Sequence, residues 1–259
     1  MKNRLTIVKI GGNIIEDTQE LSKFLELFAA LDTPKILVHG GGKSASQVLE
    51  KMGIPPKMVA GRRITDKATL DIVVMTYGGL TNKNIVAQLH TLNCNALGLS
   101  GADANTVIAH KRPVKDIDYG FAGDVDKVNG KIIGKLLDIG LVPVFCALTH
   151  DGNGQLLNTN ADTIAAELAG QLSVHYETIL YYCFEKMGVL RTITDENSVI
   201  QRIDARAYAT LLEDGIITDG MLPKMKNCFT ALEKGAHEVR IGNTNLFQKE
   251  STNFTTLVL

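Results

Sequence analysis

The sequence predicts an α/β protein built on a mostly parallel sheet covered on both faces. Three observations predict it. Apolar runs of strand length alternate with segments whose apolar residues recur every three or four positions, the pattern of repeated βα units. Two of the strand-like runs end in glycines that lead into helical spacing: residues 5–10 into Gly11-Gly12, and residues 36–39 into Gly40-Gly41-Gly42. The length, 259 residues at 45% hydrophobic content, is enough for one large domain or two modest ones with a sizeable core.

In chain order, residues 4–10 form the first strand. Asp17-Thr18-Gln19-Glu20 reads as a capping box, and the helix behind it buries Leu21, Phe24, Leu25 and Phe28. Pro34 precedes a second strand at 35–39. The helix after its glycines carries Ala45, Val48, Leu49 and Met52 on one face and stops near Gly53, before Pro55-Pro56. Two helices are expected at 66–77 and 81–92, broken by Gly78-Gly79. A short buried strand follows at 96–99, then antiparallel strands with polar turns over 106–128, a helix at 131–139 and a strand at 142–148. The loop at 150–154 leads to Asn158-Thr159-Asn160-Ala161-Asp162 and a helix ending at Gly170. Strands at 178–183, 239–241 and 255–259 and helices at 204–213 and 222–234 complete the alternation. The irregular stretch near 149–157 is the expected seam between two lobes, residues 1–150 and 151–259.

A formal net charge of −1 gives no electrostatic reason to expect nucleic acid or an anionic membrane as partner. No apolar run reaches membrane-span length, and Met1-Lys2-Asn3-Arg4 leads straight into a strand, so a cytoplasmic protein is expected. Cys94, Cys146, Cys183 and Cys228 are widely scattered, which fits reduced, buried thiols rather than disulfides or a metal site.

The chemistry-bearing residues stand at strand ends, where open α/β sheets bind ligands. Glycine turns opening helices let backbone N–H groups approach an anion, and the helix end adds partial positive charge. Lys9, in the strand just before Gly11-Gly12, must reach a partner or shift its pKa. Lys224 opens a helix, where a solvated surface lysine is the alternative. Arg63 has the planar fork that clamps a carboxylate, or makes a surface ion pair. Asn160 and Asp162 both qualify as caps of the following helix. Walker-type and dinucleotide-binding glycine motifs, metal-ligand spacings and nucleophile elbows are absent.

In combination, V-K-I-G-G at 8–12, V-H-G-G-G at 38–42, G-R-R-I-T-D at 61–66, N-T-N-A-D at 158–162 and I-T-D-G-M-L-P-K at 217–224 resemble the acetylglutamate kinase family of the amino-acid kinase superfamily. The resemblance spans nearly the whole chain. It implies a three-layer αβα sandwich on an open, mainly parallel twisted sheet. The first lobe would bind an acyl amino acid and the second would bind MgATP. Lys9 and Lys224 would neutralise the transferring phosphoryl group, and Asp162 would hold both lysines. Gly11, Gly12, Gly41 and Gly42 would donate N–H groups to phosphate and acceptor, with Arg63 and Asn158 gripping the amino-acid part. ATP and Mg2+ are the implied cofactors and an N-acylglutamate the implied acceptor. Relatives acting on carbamate, aspartate or glutamate, and a non-catalytic amino-acid sensor, are the alternatives.

The sequence departs from the family in two places. Residues 181–190, Tyr-Tyr-Cys-Phe-Glu-Lys-Met-Gly-Val-Leu, lack the usual Ser/Thr-Asp pair near the nucleotide. Tyr77-Gly78-Gly79 replaces a usual Leu-Ala-Gly near the acyl group, so a larger or charged acyl group such as succinyl is an expectation alongside acetyl. Arginine-inhibited members carry an extra helix before the first strand. Only Met1-Lys2-Asn3 stand there in this chain, so insensitivity to arginine and a homodimer are expected.

Overall fold

The computed structural model describes residues 2–59, 61–217, 221–248 and 253–259. From the N-terminus, β1 (Arg4–Ile10) is followed by α1 (Gly12–Glu16) and α2 (Thr18–Ala29), and β2 (Lys35–His39) by α3 (Gly42–Lys51). A hairpin of β3 (Met58–Val59) and β4 (Arg62–Arg63) precedes α4 (Lys67–Val73) and α5 (Asn82–Thr91). Then come β5 (Ala96–Leu99), β6 (Val107–Lys111), β7 (Ala122–Val128), α6 (Gly130–Asp138), β8 (Val142–Cys146), β9 (Leu148–His150) and β10 (Leu156–Thr159). The last third holds α7 (Ala161–Leu172), β11 (Glu177–Cys183), β12 (Arg202–Ile203), α8 (Ala205–Glu213), α9 (Leu222–Glu233), β13 (Glu238–Gly242) and β14 (Thr255–Leu257).

Among the described residues, eight strands form one sheet in the order β12-β14-β13-β11-β1-β2-β8-β5, parallel except where β14 runs against β13. The apolar residues of β1 go to both sides, as the strand period of two requires. Leu5 and Ile7 join a core with α7 and α9, while Val8 and Ile10 join the opposite one with α2 and α5. Helices therefore cover both faces, as expected. The same alternation puts Lys9 on the face of Leu5 and Ile7, toward α7.

The register aligns the carboxyl ends of the strands. Ile10 lies level with His39 and Cys183, His39 with Cys146, and Cys183 with Gly242. A ligand at one strand end is thus within reach of all of them.

Residues 107–128 make the expected antiparallel excursion, β6 on β7. The run at 142–148 is not one strand. β8 stays in the main sheet, while β9 pairs with β10 and, with β6 and β7, closes a four-stranded barrel. The loop at 151–155 is the turn of that β9–β10 hairpin. The expected break at Gly78-Gly79 is also absent. Residues Val74–Thr81 form a π-helical stretch that joins α4 to α5 without interruption. Two glycines disfavour helix by about 1 kcal/mol each. The buried face of Val73, Tyr77, Ile85 and Leu89 holds the segment on the core and overrides that cost. All four cysteines are free and buried. Thr218, Asp219 and Gly220, in the motif before Lys224, lie outside the described residues.

Candidate functional site

One cleft of about 710 Å³ opens at the carboxyl ends of β1, β2 and β11, and every residue singled out from the sequence lines it: Lys9, Gly11, Gly12, Gly41, Gly42, Arg63, Asn158, Asp162 and Lys224. They come from separate turns and helices, and the register brings them together.

Helix capping shows where the cleft expects a ligand. Asp17, Asp66, Asn129, Asn160 and Asp204 each cap a helix by accepting a hydrogen bond from a first-turn amide. Of the helices that open on the cleft, α7 is capped by Asn160, whereas α1 after Gly11, α3 after Gly41 and α9 after Met221 have no side-chain cap. Among the described residues, the first-turn N–H groups of these three lack both intrahelical and side-chain acceptors, which suits an anion. The two glycines after β1 differ in what they offer. The Gly11 amide donates to the Cys183 carbonyl at 3.0 Å, so Gly12 supplies the open N–H of that pair.

Lys9 Nζ lies 2.6 Å from Asp162 Oδ1, with both side chains about five-sixths buried. Asp162 is free for this because Asn160 takes the capping role, accepting from the Asp162 and Thr163 amides at 2.7 and 3.2 Å. Tyr182, level with Lys9 in the register, donates its hydroxyl to the Asp162 carbonyl at 2.8 Å. Lys224 does not share the Asp162 carboxylate. Among the described residues its ammonium makes no ion pair and instead lies 4.4 Å from the centre of the Phe184 ring. Burial lowers its pKa and Lys9 lowers it further, while Asp162 and Glu185 oppose them.

Across the cleft, beside the second glycine turn, Arg63 is 93% buried. Its Nη2 donates to the Gly42 carbonyl at 2.8 Å and to Ser46 Oγ at 2.7 Å, and its buried Nη1 has no partner among the described residues. Half of the fork is fixed and half is open, which fits a carboxylate ligand. Asn158 Nδ2 donates to Thr65 Oγ1 at 3.0 Å. Tyr77, presented by the π-helical stretch, is buried with its phenol beside Arg63. Burial raises its pKa and the guanidinium pulls it partly back. Its ring covers Gly41 so closely that a Cβ there would lie 2.6 Å from Cδ1.

Beneath the second glycine turn, His39 is fully buried. Its Nδ1 lies 2.6 Å from the Gly40 carbonyl, and Nε2 lies 3.0 Å from Asn82 Nδ2. Asn82 also donates to the Val144 carbonyl at 2.9 Å. Burial is the main reason its pKa falls to about 4, so the ring is neutral and donates from Nδ1. From the sequence, Tyr182 and Phe184 stand out only as part of the atypical 181–190 segment, and nothing there assigns them or Asn82 these contacts. Their roles depend on strand register and on a continuous helix, neither of which local spacing encodes.

A model of the amino acid kinase family matches residues 4–243. The acetylglutamate kinase of Bacteroides fragilis is 51% identical over 241 residues, covering 93% of this chain and 92% of that one. That of Cytophaga hutchinsonii is 53% identical over 239 residues, covering 92% and 90%. Among solved structures, smu.665 from Streptococcus mutans superimposes with a TM-score of 0.80 at 24% identity, over 98% of each chain, a likeness of fold.

Proposed function

The chain belongs to the amino acid kinase family and, within it, to the acetylglutamate kinases, and from that premise we propose how its cleft divides the work. The reaction is the ATP-dependent phosphorylation of the side-chain carboxylate of N-acetyl-L-glutamate to an acyl phosphate, a step of arginine biosynthesis. The attacking carboxylate is ionised at neutral pH, so no general base is required. The barrier is largely repulsion between two anions, and preorganised positive charge is the remedy.

In this reading Lys9 and Lys224 neutralise the transferring phosphoryl group from two sides. Asp162 aims Lys9 and does not act as a base. The first-turn amides at Gly12, Gly41 and Gly42 receive phosphate and acceptor oxygens. Arg63, through its open Nη1, and Asn158 hold the amino-acid part of the acceptor. Residues 1–150 then form the acceptor lobe and residues 151–259 the nucleotide lobe. ATP would enter as its magnesium complex; among the described residues no three carboxylate, histidine or cysteine side chains cluster to hold the ion, so the phosphates and water would supply most of its ligands. The observation that carries the reading is the Lys9–Asp162 pair lying in one cleft with Lys224, the two uncapped glycine turns and the half-open Arg63 fork.

A second reading of the acceptor rests on Tyr77. Its phenol beside Arg63, with Arg62 and Arg112 lining the same cleft, favours acceptance of N-succinyl-L-glutamate as well. Comparing kcat/KM for N-acetyl-, N-succinyl- and free glutamate with MgATP tests both. The family reading expects free glutamate to be far the poorest. An acetyl preference of more than about tenfold over succinyl, about 1.4 kcal/mol, removes the second reading. We further propose a cytoplasmic homodimer. No helix among the described residues is long and apolar enough to cross a membrane, and a dimer mass in light scattering is the expected result.

A further inference from the structure

The segment at 181–190, where the family pattern lapses, puts an aromatic ring under a functional cation. Phe184 is the first residue past β11, and its amide donates to the Gly242 carbonyl at 2.9 Å, which extends the strand pairing by one residue. Its Cβ backs onto the first glycine turn, 3.9 Å from where a Gly11 Cβ would stand. Its ring centre lies 4.4 Å from Lys224 Nζ. The other cation–ring contacts among the described residues lie at 5.4 to 5.5 Å.

The two lysines are thus held by different means. A carboxylate holds Lys9 and cancels part of its charge. A ring face attracts an ammonium through its quadrupole, brings no formal negative charge and leaves the N–H donors free for a ligand. A cation that must be felt by the oxygens of a transferring phosphoryl group is better served by the second arrangement. We propose that Phe184 is a positioning residue that seats the Lys224 ammonium in the cleft with its charge uncancelled. This rests on the reading that Lys224 stabilises the transferring group.

The groups around Lys224 set the signs of the test. Lys9 on β1 repels it, Asp162 on α7 and Glu185 beside the ring attract it, and the Cys228 thiol lies on its own helix. The ring favours the charged ammonium. Removing it lowers the pH at which Lys224 loses its proton, whereas a stronger π face raises that pH.

The experiment is steady-state kinetics on Phe184→Leu, Phe184→Tyr, Phe184→Trp and Lys224→Met, with MgATP and N-acetylglutamate varied separately, from about pH 6.5 to 9.5. Phe184→Leu is expected to lower kcat about two- to thirtyfold, the range of a single cation–π contact. It leaves the acceptor KM within about twofold and moves the alkaline limb of the profile to lower pH. Phe184→Tyr restores turnover, and Phe184→Trp moves the limb upward. Phe184→Leu with unchanged kcat and a raised KM for MgATP overturns the proposal, because the ring would then be a platform for the nucleotide. Equal losses in Phe184→Leu and Phe184→Tyr overturn it too, since retaining the ring would then count for nothing. A Lys224→Met enzyme with full turnover defeats the underlying reading of Lys224. Impaired Lys224→Met beside an unaffected Phe184→Leu defeats this inference alone.

Discussion

The two ends of the cleft are built on different principles. At the proposed acceptor end, polar groups hold one another. Arg63 spans Gly42 and Ser46, Asn158 is tied to Thr65, and His39 is fixed between Gly40 and Asn82. Around Lys224 the scaffold is packing: an aromatic ring under the ammonium and a helix that opens without a side-chain cap. A hydrogen-bonded frame fixes geometry closely and fails sharply when one member is lost. A packed frame tolerates exchange of shape for shape. The acceptor end should therefore be intolerant of conservative changes, and the Lys224 end should respond to the loss of charge or ring more than to exact shape.

The largest expected effect tests whether the two ends serve one transferring group. Lys9→Met and Lys224→Met should each lower kcat about 10²–10³-fold, roughly 3–4 kcal/mol, with little change in acceptor KM. Because both act on the same charge, the double variant should cost less than the product of the two. Full multiplicativity in steady-state kinetics would separate their roles.

Next in size is a pH effect confined to the acceptor end. The unfolded chain takes up a proton at His39 near pH 6.5, the folded protein only near 4, because the buried ring resists charge. Above pH 6.5 the two states bind alike and His39 contributes nothing to pH dependence. As pH falls from 6.5 toward 4 the unfolded state binds the extra proton, and roughly 3 kcal/mol of stability is lost. Urea unfolding at neutral and acid pH should show this loss in the wild type and a smaller one in His39→Gln by about that amount.

Arg63→Lys, a conservative change of charge type, should raise the acceptor KM about 30–100-fold, some 2–3 kcal/mol, since an ammonium cannot hold Gly42, Ser46 and a ligand carboxylate together. Substrate titration measures it. Smallest is a contrast between the two glycine turns. A Cβ at Gly41 would meet the Tyr77 ring at 2.6 Å, whereas one at Gly12 would meet the flexible Lys43 side chain no closer than 3.7 Å. Gly41→Ala should cost about 1–3 kcal/mol of stability by overpacking, and Gly12→Ala less than about 1. Thermal denaturation of the pair ranks them.

The same contrast explains what the sequence could reveal. The acceptor end and both glycine turns are carried by short contiguous motifs, and the strands before them are marked by apolar runs. Lys9, Gly41, Arg63, Asn158 and Asp162 were legible for that reason. The choice between Asn160 and Asp162 as cap was not, because it depends on Lys9 arriving from β1. Gly78-Gly79 read as a break because helix propensity is local, while the burial that overrides it is not. The split of 142–148 between two sheets was hidden for a similar reason, since an unbroken apolar run does not say which neighbours each half will find. At the Lys224 end, Phe184 read only as a lapse from a pattern. Its use appears once β11 and α9 bring ring and ammonium together.

That this cleft transfers a phosphoryl group from ATP to a carboxylate is open to direct test by hydroxylamine trapping, because an acyl phosphate is captured as a hydroxamate while a phosphate ester of a hydroxyl group or free phosphate is not. Incubated with MgATP, N-acetyl-L-glutamate and hydroxylamine, the protein should form hydroxamate in step with ADP, dependent on the acceptor and reduced about 10²–10³-fold in Lys224→Met. ADP released with inorganic phosphate and no hydroxamate, or no ADP at all while the acceptor still binds, would contradict it.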